Sequence, residues 1–298
     1  MTDSPIPNLK IDPSLKQRID ALASGFASVG DAEIAAVSTN IAGPLREDQN
    51  WISFCDSVTS TIRTTGYVVV RGLDPDGGKS LLCVSAALGA AFHTYGPNRI
   101  VKRFRMSPWT SELSHTIRTG DFHTDGNVSA IPPVGTAMQC EIEDPGAPEY
   151  GEQRVAYLPH LISRLASGTS EDVAALAFLT EGHAAMAHER SAEIWQGRLV
   201  QNGIIRYHPH SLRVASKRLG DQPQNIELVI ARIHQAAIDV SVSFHTGPGD
   251  TVLVSNLTAL HYRGACSVRF RNFPTEYDSR SLLVLHLKDP GDPERAAR

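Results

Sequence analysis

The stretch Phe122-His123-Thr124-Asp125-Gly126 puts an imidazole and a carboxylate two positions apart. In an extended segment residues i and i+2 share a face, so both side chains would address one point in space. Such a point suits a divalent metal, with two protein ligands supplied and a third still to be found. A His-x-Asp pair alone is a weak signal, because a surface histidine near a loop aspartate is spelled the same way. Fold and function therefore turn on what the rest of the chain adds to this pair.

The addition comes late, in Gly249-Asp250-Thr251-Val252-Leu253-Val254-Ser255-Asn256-Leu257-Thr258-Ala259-Leu260-His261-Tyr262-Arg263-Gly264. A turn opens a strand, the strand ends at Asn256, and His261 follows from a different part of the sheet. Two histidines and one carboxylate can occupy one face of an octahedron and leave three positions free, the arrangement used for Fe(II) in non-haem oxygenases.

Working outward, residues 1–12 carry Pro5 and Pro7 and read as a flexible arm. Ser14 to Ser28 is apolar at Leu15, Ile19, Leu22 and Phe26, a helical period. Asp31 to Val37 reads as a second short helix. Trp51 to Arg63 reads as a third, with Ile52, Cys55, Val58 and Ile62 on one face. Tyr67 to Arg71 is a β-branched run closed by Gly72 and reads as a strand. Lys79 to Phe92 is again helical. Gly78-Lys79-Ser80 resembles the end of a phosphate loop, but the glycine that motif needs is Leu73, so the reading is set aside. Val134 to Ile142 and Gln153 to Tyr157 read as strands, and Leu158 to Ala187 as mostly helix, with Thr169 as an N-cap. After Asn202 the texture turns to strands: Gly203 to Tyr207, Val240 to Thr246, Thr251 to Ser255 and Ser281 to Leu287. Gln224 to Asp239 is the one helix read among them. Residues 289–298 read as a polar tail.

There is no regular βαβ alternation and no Gly-x-Gly-x-x-Gly. Short strands parted by turns favour an antiparallel barrel or jelly roll decorated with helices over a doubly wound sheet. The expected fold is thus mainly β with flanking helices, in a single domain over residues 1–298. The composition is that of a globular protein, with 41% hydrophobic and 20% charged residues. A net charge of −4 argues against nucleic-acid or anionic-membrane partners. The start lacks the basic and apolar regions of a signal peptide. The four cysteines form no Cys-x-x-Cys pair and fit free thiols, so a cytoplasmic location is expected.

His123-Thr124-Asp125, the Gly-Asp, Asn and His-Tyr-Arg pieces around His261, and Ser279-Arg280-Ser281-Leu282-Leu283-Val284 together resemble the TauD/TfdA-type, clavaminate synthase-like Fe(II)/2-oxoglutarate-dependent dioxygenases. Gly66-Tyr67-Val68-Val69-Val70-Arg71-Gly72 is similar to that family's opening, and the likeness covers roughly residues 50 to 288. It implies a double-stranded β-helix, a jelly roll of cupin-like form. It implies His123, Asp125 and His261 as iron ligands, with 2-oxoglutarate and O2 as cosubstrates. Succinate and CO2 would be released as a substrate C–H is hydroxylated. It also implies an arginine gripping the far carboxylate of 2-oxoglutarate. Arg280 is the best match, with Arg263, Arg269 and Arg271 as competitors; the planar fork of arginine takes a carboxylate in two parallel hydrogen bonds. Gln153, in Tyr150-Gly151-Glu152-Gln153, stands where the family carries a threonine that assists 2-oxoglutarate. Related halogenases carry a small residue in place of Asp125, so the carboxylate here favours hydroxylation.

Substrate candidates lie beside the first ligand pair: Ser114, Thr116, Arg118 and Asn127, each of which also reads as a solvated loop residue. Arg206, in an apolar strand setting, would face either a substrate carboxylate or an internal ion pair. The expected substrate is a small anion or amino acid, free or carrier-tethered. His208 and His210, split by Pro209, read as a proline-broken loop without a third ligand; His183 and His188 read as surface or packing residues. Two other classes use the same His/Asp/His set: a zinc hydrolase, which would not need Arg280, and a cupin-like binding module without catalysis.

Overall fold

A computed structural model of the chain describes residues 6–38, 43–45, 48–85, 91–95, 99–220 and 225–288. Residues 1–5 of the expected arm, and the whole expected tail at 289–298, lie outside them. The arm is not loose where it is described: Asn8–Lys10 is a strand that pairs in parallel with Tyr67–Arg71.

Two sheets pack face to face. The larger sets Asn8–Lys10, Tyr67–Arg71, Thr251–Ser255, Gly135–Ile142 and Ser281–Lys288 side by side, with Ala91–Phe92 and Lys102–Arg105 both pairing with the last strand. The smaller holds Val242–Phe244, Gln153–Tyr157 and Ala259–Arg263, all antiparallel. Alternation along each strand explains the layering. Tyr67 and Val69, with Val252 and Val254, point between the sheets and meet Val155, Phe244 and Ala259. Val68, Val70 and Leu253 point the other way, into a core shared with four helices.

Those helices are Pro13–Ser24, Val29–Ser38, Gln49–Thr65 and Lys79–Ser85. The first starts where Asp12 accepts the backbone N–H groups of Ser14 and Leu15 and Pro13 opens the first turn. It buries Leu15, Ile19 and Ala23. Gln49–Thr65 buries Trp51, Phe54 and Val58, so its inner face is rotated from the expected one and Ile52 is exposed. The large rings of Trp51 and Phe54 win that burial because they remove the most apolar area from water. On the other side, Leu158–Ala166, Ser170–Thr180 and Ile226–Val240 cover the smaller sheet, packing on Ala156, Leu260 and Tyr262. Thr169 and Asp172 close a reciprocal capping box at the start of Ser170–Thr180.

Helices hold more residues than strands, so the fold is mixed rather than mainly β, and among the described residues no sheet closes into a barrel. Several elements were not read from the sequence, among them the strands Lys102–Arg105 and Ile194–Gly197, and Ala91–Phe92 is a strand where the helix from Lys79 was expected to run on. Pro209–Leu219 is a helix with Pro209 at its first position and His208 as its cap, so the proline starts an element where a broken loop was expected. Ala184–Ala187 is a strand, not the end of a helix. Val268–Asn272 and Glu276–Ser279 form a separate hairpin. No helix among the described residues is long and apolar enough to cross a membrane, and all four cysteines are free thiols.

Candidate metal centre and its cavity

His123 and Asp125 do not sit in a regular strand. Their segment touches the smaller sheet through one isolated bridge, in which His123 N–H donates to the His261 carbonyl at 3.0 Å and His261 N–H donates back at 3.1 Å. That bridge brings the two imidazoles together, ring centroids 4.3 Å apart. Residues i and i+2 still converge: His123 Nε2 lies 3.8 Å from Asp125 Oδ1. His261 sits mid-strand opposite Val155, and its Nε2 lies 3.4 Å from Asp125 Oδ2. Single donor atoms of His123, Asp125 and His261 all fall within 4.8 Å of one another, a set that could hold a metal ion.

The backbone around Asp125 is held from outside. Asn256, just past the strand Thr251–Ser255, accepts the Asp125 N–H at 2.7 Å and donates to the carbonyls of Asp125 and Pro133. Gly126 turns the chain away at a φ of 63°. A Cβ there would lie 2.6 Å from Pro133 Cδ. Gly126→Ala is therefore expected to cost about 1–3 kcal/mol of stability and to displace Asp125, read as a lower denaturant midpoint together with weaker metal binding.

Protonation favours ligation. The Nδ1 of His123 faces the Asp121 carbonyl at 2.8 Å; donating there, it leaves Nε2 bare toward Asp125. Burial pushes the His261 imidazole down to about 4, so the ring is neutral at neutral pH. Burial opposes the charge of Asp125, but the surrounding His261, His286 and His123 outweigh it and hold its carboxyl well below the ordinary range. An anion with neutral imidazoles is the donor set a divalent metal requires. His261 Nδ1 has no partner.

The three residues open into a cavity of about 580 Å³. Its floor is the inner face of the larger sheet, with Thr136, Met138, Leu282 and Val284. Its wall is the inner face of the smaller one, with Gln153 and Val155. Gln153 donates to Thr246 Oγ1 at 2.9 Å, so the glutamine amide is spent on a neighbouring hydroxyl. Arg280 lies beside Cys140, whose thiol burial pushes up to about 11 against the pull of that guanidinium. Arg280 is 2% exposed and is not part of the lining; among the described residues neither its Nη1 nor its Nη2 has a hydrogen-bond partner. The competing arginines are committed elsewhere. Arg263 donates to the carbonyls of Leu113 and Arg118, Arg269 donates to the Pro145 carbonyl, and Arg271 pairs with Asp278 on the surface.

The substrate candidates divide. Ser114 and Asn127 line the cavity. Thr116 is buried off it, bridged to Ser107 and accepting the Arg118 N–H; Arg118 is not part of the lining. Arg206 does not line it either. Its guanidinium lies 5.0 Å from the Trp195 ring centroid and donates to the Ser129 carbonyl, so a ring face and a carbonyl satisfy it in place of an anion. Two residues that the sequence reading passed over, and one that it set aside, do face the centre. Thr136 donates to Asp125 Oδ2 at 2.7 Å, and His286 Nε2 lies 3.2 Å from the same oxygen. His208 packs its buried ring 5.0 Å from that of His123. His188 lines the cavity, and His210 does so while pairing with Glu189 at 3.3 Å.

No protein-family model and no curated protein matches the sequence. Solved structures do match the fold. One is an asparagine oxygenase in complex with Fe(II), 2S,3S-3-hydroxyasparagine and succinate, at a TM-score of 0.70 and 15% identity, covering 95% of this chain and 94% of that one. Another is the non-heme iron oxygenase OrfP in complex with Fe and alpha-ketoglutaric acid, at a TM-score of 0.67 and 18% identity, covering 98% and 96%. OrfP in complex with Fe and L-Arg matches at a TM-score of 0.61 and 16% identity, covering 97% and 95%. The chain shares the fold of these oxygenases nearly end to end.

Proposed function

We propose that this chain is an Fe(II)- and 2-oxoglutarate-dependent oxygenase that hydroxylates a C–H bond of a small amino-acid substrate, and that its two facing sheets are the jelly roll of that enzyme class. The observation that carries the reading is Arg280: a buried guanidinium with two amino groups unpartnered among the described residues, two positions before the cavity-lining Leu282, in a chain that also gathers a three-residue metal set. A buried cation without a partner is costly, and a site that keeps one is built to receive an anion. The far carboxylate of 2-oxoglutarate supplies it, in the two-pronged geometry that arginine matches. A zinc hydrolase would leave those amino groups without a role.

In this reading His123, Asp125 and His261 hold the iron, which when bound supplies the oxidising power for C–H cleavage. Arg280 anchors the dicarboxylate, and Met138, Leu282, Val284 and Phe244 line its path with apolar surface that excludes water. Gln153 acts through Thr246 rather than by direct reach. Substrate enters over Ser114 and Asn127, where His208 and Asp121 also line the cavity. The structural counterparts bind asparagine-derived and arginine-derived ligands, which supports a free amino acid as substrate class.

The test is succinate formation from 2-oxoglutarate with Fe(II), with and without O2, across a panel of free and carrier-tethered amino acids. Oxygen-dependent succinate, raised several-fold by one panel member, is the expected result. Turnover with zinc and no 2-oxoglutarate would move the site to hydrolysis, and binding without either turnover would leave a cupin-like binding module.

A further inference from the structure

The last strand carries a histidine to which the oxygenase reading gives no task. Arg280, Leu282, Val284 and His286 recur at every second position, so His286 faces the same side as the cavity-lining Leu282 and Val284. Thr136 is its cross-strand partner. Beside His261 Nε2 at 3.4 Å, Asp125 Oδ2 therefore meets two groups from neighbouring strands, Thr136 Oγ1 at 2.7 Å and His286 Nε2 at 3.2 Å. An ionised carboxylate only accepts, and each of its oxygens offers about two lone-pair sites. Thr136 and His286 fill those of Oδ2. Oδ1 accepts no hydrogen bond among the described residues and faces His123.

His286 is itself backed. Its Nδ1 contacts the Tyr95 hydroxyl, and Lys102 Nζ sits 3.4 Å from the centre of the Tyr95 ring. The Tyr95 segment is tied to the same strand: Phe92 pairs with Leu287, and His93 N–H donates to the His286 carbonyl at 2.9 Å. With a proton on the nitrogen that faces Asp125, Nδ1 is left to accept and the Tyr95 hydroxyl donates to it. Burial pushes the Tyr95 phenol up, which keeps it a donor.

We propose that His286, fixed by Tyr95, is a positioning residue that clamps Asp125 Oδ2 and leaves Oδ1 as the single carboxylate ligand of the metal. This rests on the Fe(II) reading above. A carboxylate free to turn can take two positions on the ion, whereas one held by a single oxygen keeps three of six positions open beside two histidines. His286 is not a fourth ligand, because the group that converges within reach of one ion is His123, Asp125 and His261.

The test uses the full chain loaded with Co(II), whose visible absorption reports coordination number, together with chelator competition for affinity. His286→Phe is expected to weaken Co(II) binding by roughly 10- to 100-fold, the usual loss when a group orienting a ligand is removed, and to lower the absorption intensity as coordination number rises. His286→Gln restores an N–H donor toward Oδ2 and is expected to recover most of both. Tyr95→Phe is expected to shift both in the same direction, with no further loss when combined with His286→Phe. A His286→Phe affinity within twofold of the unaltered protein overturns the clamp. So does a complete loss that Gln fails to recover, which would make His286 a ligand. Failure of the unaltered protein to bind Co(II) instead removes the metal reading, and the clamp with it.

Discussion

Arg280→Met is expected to stabilise the protein without cosubstrate while removing its grip on 2-oxoglutarate. The two effects share one cause. Nη1 and Nη2 of Arg280 are buried without partners, so the guanidinium is charge taken from water with little returned. Replacing such a group by an apolar side chain of similar length is expected to raise stability by on the order of 1–4 kcal/mol. With 2-oxoglutarate bound, the same guanidinium has its partner, and losing it costs about 2–5 kcal/mol of binding. At a factor of ten per 1.4 kcal/mol, affinity falls by at least about 30-fold. Thermal unfolding with and without 2-oxoglutarate in the presence of metal reads both signs at once. The unaltered protein should melt lower than the variant when cosubstrate is absent and gain more on its addition. A variant that is less stable without cosubstrate and gains as much from it would place the anion site elsewhere.

His261→Ala has the second large effect, this time on the metal. The set has three members, and removing one leaves two donors on a single short segment. Metal affinity should fall by more than the roughly 100-fold seen when only an orienting group is lost, and succinate formation should disappear with it. Asp125→Ala should do the same for a different reason. It deletes the one anion among the histidines that surround it, so a divalent cation would meet only neutral donors. Asp121→Ala is the control, since only its backbone carbonyl serves His123; it should leave metal affinity nearly unchanged. Equilibrium competition with a chromophoric chelator measures all three.

Much of the site could be read before the fold was known, because its parts are local or periodic. His123 and Asp125 share a face by spacing alone, and the turn at Gly247-Pro248-Gly249-Asp250 announces the strand behind Asn256. Gly249 is required there, since a Cβ would meet the Leu73 carbonyl oxygen at 1.9 Å. What escaped reading was long-range. The segment of His123 is not a strand, and its geometry comes from one bridge to His261 and from Asn256. His286 was hidden in a run read as a buried apolar strand. The period-two alternation from Arg280 would have put it on the inner face, but nothing local gives Thr136 and Tyr95 as its partners. Arg206 misled because burial of a cation was taken to demand an anion, whereas Trp195 and a carbonyl satisfy it. His208 misled because Pro209 was read as a break, while proline is equally at home in the first turn of a helix. The helices read along the sequence already matched the observed helical share, so the mainly β label failed on its own elements, while Pro209–Leu219 stayed hidden behind its opening proline.

In the proposed function a metal sits on His123, Asp125 and His261, and Arg280 takes the far carboxylate of 2-oxoglutarate. Anaerobic titration of 2-oxoglutarate into the Fe(II)-loaded protein, followed by the visible charge-transfer absorption of a chelated 2-oxo acid, tests it most directly. The expected result is saturable binding of 2-oxoglutarate, much weaker binding of pyruvate, which lacks the far carboxylate, and loss of that preference in Arg280→Met. Equal binding of the two acids, or no absorption change with either, would contradict the account.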